Sequence, residues 1–251
     1  MGIGEALEPP LDEVGLLEAV PELSLSRGVE QSPYHHLDTF EHTLEVVRGV
    51  QRELEEKRLG ARVGRGRVEG LRLAAALHDV AKPLTRGEVE GRVLFVSHDS
   101  VGAGLVRRVC RRLGLSARLT DLAATLTALH LKIGFMQHHR ADYPPDRLAR
   151  AAGPFGEELA ILSWADRLAA QGPRLKPEHV ERHRELCAEF LRASRELGHY
   201  PEPDYAELAW RLSPDRDLAP ADVGYAASSL RLFVARGSDE EGALACASRL
   251  L

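Results

Sequence analysis

Residues 71–80 read LRLAAALHDV. Leu71, Ala74 and Ala75 recur at steps of three and one, so they share one side of a helix, and His78 falls on the same side. Asp79 stands beside it. A helix that meets its core with an imidazole and a carboxylate pays a desolvation cost unless those groups find partners. Partners are therefore expected elsewhere in the chain.

Four further segments show the same pattern. His42 shares a face with Val46 and Val50. His98 begins the stripe Val101, Gly102, Leu105 and Val109. His130 continues the stripe that holds Leu122 and Leu126. Asp166 lies within the stripe Leu159, Leu162 and Ala169. With Asp79, six groups from five segments are aimed inward. A buried His–Asp network without metal would satisfy some of them, but such networks cost more than they return unless every member is paired. A divalent cation supplies the missing charge, and imidazole and carboxylate are its ligands.

The spacing suggests two ions. His42, His78, Asp79 and Asp166 form one mixed nitrogen–oxygen site, and Asp79 bridges to a second ion held by His98 and His130. Two ions about 3.5–4 Å apart would generate a hydroxide and clamp a phosphoryl group. No thiolate joins the set, so a structural zinc site is not expected. Mn, Fe, Co, Ni and Mg all remain open.

The bulk properties narrow the class. The 251 residues are 44% hydrophobic, enough for a sizeable core, and the net charge of −5 argues against a generally basic nucleic-acid binder. Cys110, Cys187 and Cys246 are far apart and odd in number, which implies a reduced, cytoplasmic protein. No signal pattern opens the chain, and no apolar run reaches bilayer length. Helical periodicity predicts an all-α fold, with helices over 39–58, 67–81, 98–113, 116–131, 156–171 and 177–197. Shorter helices are expected near 11–18, 145–152, 204–212, 220–236 and 239–250. The one β candidate is a small hairpin near 88–97, centred on Gly91.

The set His42, His78–Asp79, Asp166 resembles the H…HD…D hallmark of the HD-domain metal-dependent phosphohydrolase superfamily, and His98 and His130 resemble its two-metal members. The stretches LHDVAKPLTRG (77–87), FVSHDSVGAGLVRRVCRRLGLS (95–116) and WADRLAAQGP (164–173) resemble the HD portion of bacterial tRNA nucleotidyltransferases and poly(A) polymerases. That resemblance implies an HD helical bundle over 1–198, including an N-terminal lead-in, and a helical extension over 199–251 packed on it. The polymerases' nucleotidyltransferase motif has no counterpart: the only Asp-x-Asp is Asp215–Arg216–Asp217, in a proline-flanked loop. A free-standing hydrolase is therefore expected, a phosphatase, 2′-nucleotidase or 2′,3′-cyclic phosphodiesterase acting on nucleotides or RNA ends by metal-activated hydroxide attack. The alternatives are an HD hydrolase of a signalling nucleotide or deoxynucleoside triphosphate, and a non-catalytic tRNA- or RNA-binding module. No membrane partner is expected, and the sequence does not set the oligomeric state.

Within this reading Asp79 and Lys82 are the catalytic candidates. Lys82, three residues past Asp79, resembles the family lysine near the substrate phosphate, and its ammonium would neutralise charge developing on phosphoryl oxygens. Arg86 and His36 are further substrate-binding candidates, while His35 reads as an ordinary loop residue. His138 and His139 fall in a loop after the His130 helix. His179 and His183 read as part of a solvated face. Arg107, Arg108, Arg111 and Arg112 read as a charged surface face, with an RNA backbone track as the alternative.

Overall fold

The computed structural model describes residues 2–136, 144–198, 200–215 and 217–251. The chain begins with α1 (Ile3–Ala6), α2 (Glu13–Ala19) and a 3-10 turn (Pro21–Ser26). The main bundle follows: α3 (Thr39–Glu56), α4 (Arg65–Leu77), α5 (Lys82–Thr85), α6 (His98–Arg112), α7 (Ala117–Leu129), α8 (Lys132–Phe135), α9 (Pro145–Ala152), α10 (Gly156–Ala169) and α11 (Pro177–Glu196). The last helices are α12 (Tyr205–Leu212), α13 (Pro220–Ala235) and α14 (Glu240–Arg249). Local chemistry sets several boundaries. The Asp38 carboxylate accepts from Glu41 N to start α3, and Lys57 closes it in the left-handed region. Ser116 caps α7 in the same way.

Two helices end earlier than periodicity predicts. The helix expected over 67–81 stops at Leu77, and that expected over 116–131 stops at Leu129. In both, the next residue is a histidine whose Nδ1 bonds the carbonyl three residues back: His78 to Ala75 and His130 to Thr127. Each turns into a short second helix, and Pro83 at the start of α5 cannot extend the first. The hairpin is present two residues earlier than expected. β1 (Arg86–Val89) pairs antiparallel with β2 (Arg92–Phe95), in register Val89↔Arg92. Its two-residue loop has Glu90 at φ 51° and Gly91 at φ 71°, the positive values that a hairpin turn matching strand twist requires.

Helix α7 is the centre of the bundle. Every residue from Thr120 to Leu129 is buried, and α4, α6 and α13 pack round it. Helix α3 packs between α4 and α10, and α10 is covered by α11. Leu44, Leu71, Leu77, Leu122, Leu126 and Phe155 belong to one continuous core. Helix α13 lies against α7 through Gly224, where a Cβ would overlap the Ala117 carbonyl. The same contact buries an ion pair: Arg231 bonds both carboxylate oxygens of Asp121 and Thr125 Oγ1. Leu208, Val223 and Ala227 form a small separate cluster under α12.

Glu158 on α10 is fully buried, and neither of its oxygens has a hydrogen bond in place. Burial pushes its carboxyl up to about 7, against the pull of Arg67 Nη1 at 3.5 Å. Between about 4.5 and 7 the folded chain holds a proton that the unfolded chain has released. Stability therefore falls as pH rises through that window, by at most roughly 3 kcal/mol. Urea melts of wild type and Glu158→Gln at pH 5 and pH 8 are expected to differ mainly at pH 8, with the variant more stable there. Parallel pH dependence in the two proteins would contradict this account.

Candidate metal centre

The six predicted side chains converge. His42 comes from the first turn of α3, His78 and Asp79 from the turn after α4, and His98 from the first position of α6. His130 follows α7, and Asp166 lies on α10. Their meeting point is Asp79. Its Oδ2 is 3.1 Å from His78 Nε2 and 3.7 Å from His42 Nε2; its Oδ1 is 3.3 Å from His98 Nε2 and 3.6 Å from His130 Nε2. His42 Nε2 is also 3.0 Å from Asp166 Oδ1. The carboxylate thus faces one histidine pair with each oxygen. Ligand atoms of His42, His78 and Asp79 form one compact group, and those of Asp79, His98 and His130 form another.

Backbone carbonyls set the tautomers of three rings. His78, His98 and His130 each donate Nδ1–H to the carbonyl three residues earlier, those of Ala75, Phe95 and Thr127, at 2.7–2.8 Å. A carbonyl only accepts, so Nδ1 carries a proton and Nε2 is the ring atom turned toward Asp79. This is the outer hydrogen bond that orients a metal-ligating histidine. The lone pairs of His98 and His130 also face each other at 3.3 Å. Such an arrangement is repulsive unless a cation or a proton lies between the atoms.

The electrostatics divide the site. Burial pushes His130 down to about 4, so it is neutral at pH 7 and offers its lone pair. Burial also works against a charged His78, but the adjacent Asp79 carboxylate outweighs it and raises His78 above its ordinary value. Burial would raise Asp79 as well; His78 and Lys82 outweigh it and hold the carboxyl well below the usual range. Asp166 is held low against burial by the hydrogen bond and charge of His42. Neither oxygen of Asp79, nor Nε2 of His78, has a well-formed hydrogen bond among the described residues. Buried, anionic and lined by lone pairs, this donor set fits divalent ions in the two-site arrangement that Asp79 would bridge.

Lys82 is buried, with Nζ 2.6 Å from Asp79 Oδ2 and 2.6 Å from Gln31 Oε1. It faces a cavity of about 440 Å³ bordered by Asp79, His98, His130, Asp166, Phe95 and Phe135. Two other substrate-binding candidates are not brought here. Arg86 is exposed at the start of β1, and His36 is exposed in the loop before α3. The structure instead turns His35 inward, its ring edge-on to His42 at 4.9 Å, and burial pushes its pKa down to about 3. Gly172 N bonds the Tyr34 carbonyl and Arg174 N that of Pro33, which holds this loop against the site. His35 and Gln31 carried no periodic signal because both lie in a loop; only the tertiary contact with residues 172–174 selects one histidine of the pair.

The remaining sequence candidates sort plainly. His183 is buried rather than solvated, bonded to Ser163 at 3.0 Å, while His179 is exposed. His138 and His139 lie outside the described residues. Arg107 bonds Asp222 and the Leu250 and Leu251 carbonyls, and Arg112 bonds Glu22 and the Ala19 carbonyl. Those guanidinium groups are engaged within the chain. No described helix is long and apolar enough to cross a membrane.

A helical bundle whose buried histidines and aspartates face one another in this way defines a class of candidate metal centres. The HD domain family model matches residues 39–171, more than half of the chain, so the chain belongs to the HD domain family. It is 36% identical over 166 residues to the A-adding tRNA nucleotidyltransferase of Deinococcus radiodurans, covering 65% of this chain and 35% of that protein. It is 34% identical over 171 residues to the CC-adding tRNA nucleotidyltransferase of Thermus thermophilus, covering 64% and 35%. A bifunctional uridylyltransferase/uridylyl-removing enzyme of Novosphingobium aromaticivorans is 34% identical over 122 residues, covering 44% and 12%. The match spans about a third of the length of the first two relatives.

Proposed function

We propose that this chain is a metal-dependent phosphohydrolase acting on a nucleotide or on an RNA end, as a phosphatase, 2′-nucleotidase or 2′,3′-cyclic phosphodiesterase. The observation that carries this reading is Asp79, buried and bridging two pairs of histidine nitrogens. His42, His78, Asp79 and Asp166 would hold one divalent ion, and Asp79, His98 and His130 a second. When bound, such ions lower the pKa of water and stabilise charge on phosphoryl oxygens.

The chain's own groups do the rest. The carbonyls of Ala75, Phe95 and Thr127 keep three rings in one tautomer and orientation. Lys82 places an ammonium at the floor of the cavity, where it neutralises charge on a phosphoryl oxygen. Asp166, with 20% of its side chain exposed, is the carboxylate nearest to solvent and orients incoming water. Phe95, Leu131 and Phe135 line the cavity with apolar surface. Nucleotide and RNA substrates are favoured because the relatives act on tRNA, as their names state.

The test is a panel of nucleoside monophosphates, 2′,3′-cyclic phosphates, cyclic dinucleotides and deoxynucleoside triphosphates, each with Mn²⁺, Fe²⁺, Co²⁺, Ni²⁺ and Mg²⁺. Turnover with at least one metal is expected, lowered about 10²-fold or more by EDTA, with about one to two ions bound per chain. Undiminished turnover by the metal-free chain would overturn the mechanism. Salt-sensitive tRNA binding with no turnover under any metal would favour the non-catalytic alternative.

A further inference from the structure

Beside the metal centre lies a second cleft, of about 390 Å³, between the 32–35 loop and α11. It is bordered by Tyr34, Arg167, His179, Arg182 and His183, and no carboxylate of the described residues lines it. Tyr34, His35 and Arg167 also border the cavity over Asp79, so the two spaces share a wall. A small third space between His130, Asp166 and His183 again has Arg167 in its wall. Arg167 therefore stands at the junction of all three.

Arg167 differs from the other arginines near the site. Arg182, at the outer rim, pairs with Glu185 at 2.8 Å. Arg167 makes no hydrogen bond or ion pair with any described residue, and its Nε is buried without a partner. A buried guanidinium nitrogen left unpaired is costly. Its planar fork matches the oxygens of a phosphate. Gly134 faces this group, where a Cβ would stand 3.8 Å from Arg167 Nη2. Across the cleft, the exposed ring of Tyr34 offers a surface on which a base can stack.

We propose that this cleft takes a second phosphate group of the substrate, held by Arg167, while the first lies over the Asp79 centre. The inference rests on the phosphohydrolase reading of that centre and narrows its substrate to molecules carrying two phosphates. The second phosphate comes either from a nucleoside diphosphate or from the neighbouring phosphodiester of an RNA end.

The probes are fluorescent methylanthraniloyl derivatives of AMP, ADP and the dinucleotide pApA, bound to the metal-loaded chain. Rapid mixing reads affinity before turnover. The wild type is expected to bind ADP or pApA about tenfold tighter than AMP, and the one preferred identifies the source of the second phosphate. In Arg167→Gln that preference is expected to fall to about twofold or less, and Arg167→Lys is expected to keep part of it. Equal affinities for all three probes in wild type would overturn the proposal whether or not the variants fold. So would an unchanged preference in a folded Arg167→Gln chain. Because affinity is read without turnover, a wild type that hydrolyses substrate but shows no preference loses the cleft and keeps the hydrolase. One that shows the preference without hydrolysing anything loses the hydrolase reading alone.

Discussion

Asp79→Asn is expected to lower kcat/KM by on the order of 10³-fold and to remove at least one bound ion per chain. The substitution preserves shape and volume while removing the charge. In the wild type each Asp79 oxygen faces two imidazole nitrogens. An amide presents one oxygen and one N–H group, so one of the two sites loses its acceptor and meets a donor instead. The charge that would bind both ions is lost as well. Elemental analysis of the purified variant and its kinetics on the best substrate of the panel are the measurements. A variant with wild-type metal content and activity within tenfold would show that Asp79 does not bridge the centre. Circular dichroism separates this from unfolding. Because Asp79 is buried among lone pairs and anionic, the metal-free variant is expected to retain its helices and a cooperative melt.

Arg231→Met is expected to destabilise the whole chain by about 3–5 kcal/mol. Arg231 and Asp121 are both buried, at 5% and 0% exposure. Asp121 also accepts from the Tyr205 hydroxyl at 3.0 Å and from Thr125 Oγ1 at 3.2 Å. Removing the guanidinium leaves a carboxylate in the interior with two neutral donors and no cation. The double replacement Arg231→Met with Asp121→Leu removes both charges and is expected to recover most of the loss, since apolar groups of similar volume commonly replace buried ion pairs at little cost. Urea titration followed by far-UV circular dichroism measures both. A single-variant loss below about 1 kcal/mol would mean that α13 contributes little to the stability of α7. The measurement also asks whether residues 199–251 unfold with the bundle. A single transition is expected, because α13 inserts Ala221 into the main core and Gly224 against the Ala117 carbonyl.

Five of the six inward histidines and aspartates were legible because each sits at helical spacing from apolar neighbours, and burial of one face is a local property of the chain; Asp79 was legible because it adjoins His78. The helix ends at Leu77 and Leu129 were less legible. Periodicity continues through His78 and His130, and only the ring-to-carbonyl bonds and Pro83 turn the backbone there. His183 was misread for a similar reason. Its sequence neighbours are charged, but the helix face that it occupies packs on Ser163 of α10. Arg167 gave no signal at all, since an arginine that follows an aspartate on a helix is ordinary until no partner for it is found among the described residues.

The amino-acid sequence by itself determined the all-α class, the positions of the main helices and the identity of the six groups that share the interior. These follow from periodicity and from the cost of burying polar groups, both of which act within a few residues. Tertiary structure alone decided which oxygen of Asp79 meets which pair of rings, which histidine of the 35–36 pair turns inward, and which arginine has no partner among the described residues. Those outcomes depend on contacts between separate segments, some of them more than a hundred residues apart, such as His42 with Asp166 and Tyr34 with Gly172. No local rule of spacing carries that information.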